Sequence, residues 1–471
     1  MARWPLRRAT RIYLHIGAPS TGTTYLQRLM IANKERLAES GVLFPGARWE
    51  DVVRAVRDVM GTAEHDPRLR AEAQGKWAEL SGEMLSYDGR AVVLSMEFLC
   101  FAEPDVAARV VESLADAEVH VVLTVRDTSS VIRSQWQTSC RNGSKVPLQR
   151  LLWGLRTTLN SEEPPDNRPV RMVTRALGIP RMLETWTPLV GPKRMHVITV
   201  PRGSDDPDLL WKRFASVVGV KPGVATEKAV HSNTSLGLPS SELLRMVNIA
   251  LGDIHRIEYR RVVKTALARD ILGELAVNEP KVALNRPGRN MSARWNERVR
   301  DAITASGSHL VGSLDDLPTE RAPEDMPTEL AKPTDEEVLT AAAFATERMA
   351  EIVAGLEEKV TAVREGRDDG IDEDEDDDRE GDPGDQEPRE GTDGDADDAD
   401  DADDADDADD ADADGDDADD TGRSVGPLRQ LESRSEPVQQ AVWDLTAVVR
   451  RAVDLQLELA GLRASRGRST G

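Results

Sequence analysis

The sequence predicts an α/β fold: a parallel sheet flanked by helices, followed by a helical C-terminal extension and a disordered acidic tract. Three observations carry this expectation. Over residues 1–330, short β-branched runs alternate with longer helical patterns, the order expected of parallel strands joined by crossover helices. Beyond residue 330, apolar residues recur at spacings of three and four, which draws one stripe along a helix. From Asp368 to Asp420, 32 acidic residues stand against only Arg379 and Arg389. Such a segment cannot bury enough apolar surface to offset its ordering entropy.

Taken in order, Arg11–Ile16 (RIYLHI) reads as the first strand and Gly22–Glu39 as the helix after it. Ala91–Ser95 (AVVLS) is the second strand. Val119–Val125 is the third, and its almost wholly apolar composition marks a central strand buried on both faces. Met195–Val200 (MHVITV) is the fourth. Asp206-Pro207-Asp208 offers a capping Asp and an N1 proline to the helix LLWKRFASVVG. One charged helical pattern runs from Ser240 to about Glu274. Thr334-Asp335-Glu336-Glu337 is a capping box. It opens a helix striped by Val338, Ala341, Ala345, Met349, Ile352 and Leu356. After the acidic tract, Glu436-Pro437 begins a last helix. Its seam is Val438, Val442, Leu445, Val449 and Ala452, interrupted at Gln456. That helix either docks on its own domain or mediates self-association. The expected division is therefore 1–330, 331–366, 367–423 and 424–471.

The whole chain carries a formal charge of −25. The tract alone exceeds that, so the remainder is mildly basic, and the overall pI of about 4.8 describes the tail. No apolar run approaches the ~18 residues of a membrane span, and the N-terminus lacks a small-residue cleavage site. Two cysteines, Cys100 and Cys140, make no disulfide framework. The seven histidines are scattered, so no metal site is expected. These features predict a cytoplasmic protein with no membrane or nucleic-acid partner. Arginine outnumbers lysine 49 to 11, a bias of GC-rich bacterial genomes.

The chemistry concentrates in His15–Gln27, HIGAPSTGTTYLQ. A buried strand ends, and a Gly/Ser/Thr turn opens a helix whose first N–H groups have no intrahelical partner. Those groups form an anion cradle. Gly17, Ala18, Pro19, Ser20, Thr21, Gly22, Thr23 and Thr24 are the candidate ligands, and they make the sheet P-loop-like. The spacing matches Gly-x-x-x-x-Gly-x-Thr, with Thr23 where a nucleotide triphosphatase has lysine. Hydrolysis of ATP or GTP is therefore disfavoured.

This loop resembles the 5′-phosphosulfate loop of sulfotransferases that use 3′-phosphoadenosine 5′-phosphosulfate (PAPS). Its flanks, His-Ile-Gly and Tyr-Leu-Gln, resemble those of the bacterial members. The resemblance covers about residues 10–320. It implies a P-loop α/β fold, PAPS as co-substrate without a metal, and an acceptor of unknown identity. The family's loop lysine falls at Ser20, which can donate a hydrogen bond but brings no charge to the leaving oxygen.

Two further elements agree. Arg126 ends the third strand and Ser134 follows eight residues on, in VIRSQW. An arginine and a serine so placed can converge on one phosphate, and in the family this pair binds the 3′-phosphate of PAPS. Glu97, at the end of the second strand, points toward the crevice where open α/β sheets bind ligands. It is the candidate base for the acceptor's proton; the alternative is a helix cap or an arginine partner. With Ser20 it completes the candidate catalytic set. His15 reads as a structural histidine and Arg286-Pro287-Gly288-Arg289 as a basic turn. The segments Asn233–Leu236 and Gly312–Leu317 carry no assigned role. The acceptor pocket falls to residues 51–89 and 146–181. Two other functions stay open: a catalytically silent nucleotide-binding module with a helical tail for assembly, and an unusual P-loop kinase.

Overall fold

Runs of apolar residues long enough to be covered on both faces make the centre of this protein. A computed structural model describes residues 10–62, 67–160, 167–204, 206–227, 235–367 and 427–469. Within them, β1 (Arg11–His15), β2 (Val42–Leu43), β3 (Ala91–Ser95), β4 (Glu118–Val125), β5 (Met195–Thr199) and β6 (His309–Val311) form one sheet. Its order is β2-β3-β1-β4-β5-β6, and every pairing is parallel. The four strands read from the sequence are all present. The edge strands β2 and β6 are additional. At two and three residues, they are too short to show a pattern.

The chain crosses from β3 on one side of β1 to β4 on the other. The carboxyl ends of β3, β1 and β4 therefore flank the switch point, where a crevice opens. One face of the sheet carries Ile12, Leu14 and Ile16 into the larger apolar core. The other carries Tyr13, Val93 and Val122 into a smaller one with Trp211 and Phe214.

The helices that build the site follow the strands: α1 (Thr23–Ala32), α2 (Thr128–Arg141), α3 (Leu209–Val218), α4 (Leu238–Leu251) and α5 (Arg286–Ser306). Three expectations are corrected. The helix read as Gly22–Glu39 breaks at Asn33. This buried amide donates to Leu29 O and Glu227 O and accepts from the N–H groups of Thr226 and Glu227. Its side chain holds a distant loop, and a second short helix resumes at Lys34. The helix after β5 starts at Leu209 with Asp208 as N-cap. Asp206 instead accepts from the Asp208 N–H and the Lys212 ammonium, closing a turn before the helix. The pattern from Ser240 to Glu274 is cut at Gly252, whose φ of 68° ends α4. The chain then re-forms as a π-helix, Tyr259–Ile271.

The C-terminal part is α6 (Asp335–Arg364) and α7 (Glu436–Ser469). Thr334 and Glu337 form the capping box read from the sequence. Val438, Val442, Leu445, Val449 and Ala452 are fully buried, in one apolar cluster with Val338, Met349 and the α4 residues Leu244 and Val247. The seam of α7 is therefore packed into the chain's own core. The acidic tract lies outside the described residues. Among those residues no helix is long and apolar enough to cross a membrane.

Candidate functional site

The loop after β1 is stitched to β4 before it turns. Ile16 N–H and Ala18 N–H donate to Val122 O and Thr124 O, and Thr124 N–H donates back to Gly17 O at 2.6 Å. The Thr124 hydroxyl donates to Gly17 O at 3.0 Å and meets the Thr21 hydroxyl, which also bonds Ala18 O. His15 lies beneath, fully buried between Ser95 Oγ at 2.7 Å and Thr124 Oγ1 at 3.3 Å. Burial pushes its pKa down to about 3. It is a neutral structural residue, as read.

Two glycines here are required by geometry. Gly22 has φ 89°, and a Cβ on it would meet Leu210 Cδ2 at 2.5 Å. Gly17 has φ 98°, and its Cβ would meet Glu97 Cβ at 3.0 Å. The second contact seats the half-buried Glu97 directly against the start of the loop. Gly22 is also the N-cap of α1, and no side chain caps that helix. Its first N–H groups are left to whatever lies above them.

Ser20 closes the turn in the left-handed region, at φ 61°. Its carbonyl accepts from Arg126 Nη1 at 3.1 Å and its hydroxyl from Gln135 Nε2 at 2.9 Å. Gln135 was not singled out by the sequence, although it follows Ser134 directly. Ser134 itself is half-buried, and among the described residues its hydroxyl holds no hydrogen bond. The structure thus brings Arg126, Gln135 and Glu97 to the loop. It shows no hydrogen bond between Arg126 and Ser134.

The turn between β4 and α2 is fixed from α5. Asp127 caps α2 and accepts from Asn296 Nδ2 at 3.0 Å, while Asn296 Oδ1 accepts from Thr128 N–H at 3.0 Å. This sets the rotation of α2 and aims Arg133 beside Arg126. Arg133 donates to Ser129 O, Ser130 Oγ and Val282 O. Arg289 donates to Ser129 Oγ at 3.4 Å. The basic segment read as a turn is therefore the first turn of α5, and it faces α2. Arg202 stands beyond β5, its N–H held by Asp316 at 3.1 Å. Asp316 also accepts from Thr199 Oγ1 and Arg213 Nη1, so Gly312–Leu317 clamps the end of β5.

Cations outnumber carboxylates in this corner. Burial lowers the pKa of Arg126, the charge of Arg133 lowers it further, and Asp127 raises it in part. Burial also lowers that of Arg133; Asp127 raises it, and Arg289 and Arg202 lower it. Among the described residues none of the four guanidiniums lies within ion-pair distance of a carboxylate. A cleft of about 480 Å³ is lined by two of them, Arg133 and Arg289, with Ser129, Leu284, Asp325 and Met326. Among the described residues no group of three or more His, Cys, Asp or Glu is placed to hold a metal ion.

No family model matches the chain, and no curated protein matches it. Among solved structures it is similar to a sulfotransferase from Alicyclobacillus acidocaldarius. The identity is 14%, covering 47% of this chain and 85% of that one, with a TM-score of 0.31. It is similar also to a sulfotransferase domain from the curacin biosynthetic pathway, 14% identical over 47% of this chain and 78% of that one, with a TM-score of 0.28. At such scores the likeness carries no argument.

Proposed function

We propose that this protein is a sulfotransferase that moves the sulfuryl group of PAPS to a hydroxyl or amine acceptor. The observation that carries the reading is the set of four arginines without carboxylate partners beside an uncapped helix N-terminus. Arg126 and Arg133 are desolvated like charges that Asp127 offsets in part, and a bound polyanion offsets the rest. The phosphosulfate lies on Gly17, Ala18, Pro19, Ser20, Thr21, Gly22, Thr23 and Thr24. The second phosphate lies on the arginine side, with Ser134 at its edge.

In the transfer, the acceptor's lone pair forms a bond to sulfur. The bond from sulfur to the 5′-phosphate oxygen breaks, and its electron pair stays on that oxygen, leaving adenosine 3′,5′-bisphosphate. The acceptor's proton passes to the Glu97 carboxylate. Glu97 suits this role because it sits against Gly17, next to where the sulfuryl group is held. The loop N–H groups and the Ser20 hydroxyl stabilise the charge that develops on the leaving oxygen. No step calls for a metal.

Calorimetric titration with adenosine 3′,5′-bisphosphate, and separately with ATP, tests the co-substrate class. Micromolar binding of the first with none of the second is expected; the reverse result would point to the kinase. Transfer from radiolabelled PAPS to phenol, sugar and amine acceptors tests the activity. One observation favours a second reading, a silent nucleotide-binding module: Ser20 brings no charge to the loop. Binding without transfer to any acceptor would select it.

A further inference from the structure

Resting on the nucleotide-binding reading above, we infer that Asp325 reads the ribose of the bound nucleotide: its carboxylate accepts the 2′-hydroxyl beside the second phosphate and selects a 3′-phosphate over its 2′ isomer. The residue lies past the end of the resemblance, which stops near residue 320. It belongs to the segment between β6 and α6, which crosses the start of α5. Ala322 N–H donates to Asn290 Oδ1 at 2.8 Å, and Asn285 Nδ2 donates to Thr328 O at 2.6 Å. Arg286 donates twice, from its N–H to Pro327 O at 2.8 Å and from Nη1 to Glu324 O at 2.6 Å. Between these anchors Met326 N–H closes a turn on Pro323 O at 3.2 Å. Asp325 is inside that turn, so its backbone is fixed from both sides while its side chain stays exposed.

Asp325 lines the same cleft as Arg133 and Arg289. Among the described residues it lies within ion-pair distance of no cation, so its charge is not spent on those two arginines. The cleft therefore offers an anion site and a strong hydrogen-bond acceptor side by side, with Leu284 and Met326 as an apolar wall. A ligand that matches both carries a phosphate and a hydroxyl on neighbouring atoms. Adenosine 3′,5′-bisphosphate has that pair, because its 3′-phosphate and 2′-hydroxyl leave adjacent ribose carbons. A carboxylate is a usual acceptor for a ribose 2′-hydroxyl, and it repels a phosphate put in the same place.

Calorimetry on the full chain, with the ribo and 2′-deoxy forms of adenosine 3′,5′-bisphosphate, tests this. Wild type should bind the ribo form about tenfold more tightly, the usual effect of a hydrogen bond to a charged group. Asp325→Ala should bind the two forms equally, because the hydroxyl has lost its partner. Adenosine 2′,5′-bisphosphate should bind wild type more weakly than the 3′,5′ isomer, and Asp325→Asn should narrow that gap. If Asp325→Ala shifts the ribo and deoxy forms by the same factor, Asp325 acts only through the local field; the inference fails and the sulfotransferase reading stands. Equal binding of the two forms by wild type overturns the inference in the same way. If wild type binds none of the three nucleotides, both fail.

Discussion

Ser20 shows how a residue can keep the shape of a phosphate loop while changing its charge. Its backbone is left-handed, its carbonyl holds Arg126 and its hydroxyl holds Gln135. A lysine introduced there adds a cation beside one already present. Ser20→Lys is therefore expected to slow transfer in the wild-type background, because like charges crowd the turn. In Arg126→Ala the same change should raise transfer about tenfold or more, the scale of one well-placed electrostatic donor. Rates with radiolabelled PAPS in the four combinations check this; an increase in both backgrounds would place the missing charge elsewhere. Glu97→Gln keeps the volume and removes the base. Its turnover should fall by roughly 10²- to 10⁴-fold, with loss of the acidic limb of the pH–rate profile and unchanged affinity for adenosine 3′,5′-bisphosphate. A profile with that limb intact would assign the proton to another group. The loop and Glu97 were legible in the sequence because both lie at strand ends, where direction follows from the sheet. Gln135 and Arg133 were not. Which residues of α2 face the loop depends on the rotation of that helix, and the Asp127–Asn296 pair that fixes it joins residues far apart in the chain.

Strands β1, β3, β4 and β5 could be read because their residues are buried on both faces, which writes continuous apolar runs into the chain. What a single strand cannot reveal is what its neighbours hold at the same level. The histidines look scattered in sequence, yet the sheet gathers three of them. His120 Nδ1 lies 2.9 Å from His196 Nε2, and His196 Nδ1 lies 2.9 Å from His309 Nδ1. His120 Nε2 meets Glu118 Oε1 at 2.8 Å, and Arg11, Arg194 and the Tyr13 ring complete the surroundings. Burial pushes the pKa of His196 down to about 4, helped by its two histidine neighbours. The unfolded chain titrates near 6.5, so between these values it binds more protons than the folded one. The stability that His196 contributes is complete above about pH 6.5 and is lost as pH falls toward 4. Between pH 7 and 5, wild type should lose roughly 2 kcal/mol more stability than His196→Gln. Urea unfolding at a series of pH values measures the difference. Parallel slopes for the two proteins would mean that the histidine row does not titrate on unfolding.

At the scale of the whole molecule, the direction of the C-terminal helices matters more than their apolar stripes. The stripes were legible from spacing alone, but spacing does not tell a parallel pair from an antiparallel one. Ion pairs do. Asp335 faces Arg434, Glu357 faces Arg451 and Arg364 faces Glu458, so α6 and α7 run side by side in the same direction. A tight turn can join antiparallel helices, but a parallel pair needs a connection that returns the full length of the first helix. For α6, with 30 residues, that distance is about 45 Å at 1.5 Å per residue. Residues 368–426 must cover it, whatever else their charge does. An extended chain advances at most ~3.6 Å per residue, so a replacement of ten residues reaches only about 36 Å. Gly/Ser replacements of about ten residues are therefore expected to pull α7 from its seat. That would expose Val438, Val442, Leu445 and Val449 and lower the unfolding midpoint. Replacements of about 30 residues or more should keep the native midpoint and leave nucleotide affinity unchanged, although every acidic side chain of the tract is gone. A series of linker lengths, followed by urea unfolding and calorimetry, separates reach from charge. A midpoint that tracks linker length with a threshold near 13 residues supports the crossover. If all lengths lose affinity equally, the acidity of the tract, rather than its span, is what the nucleotide site depends on.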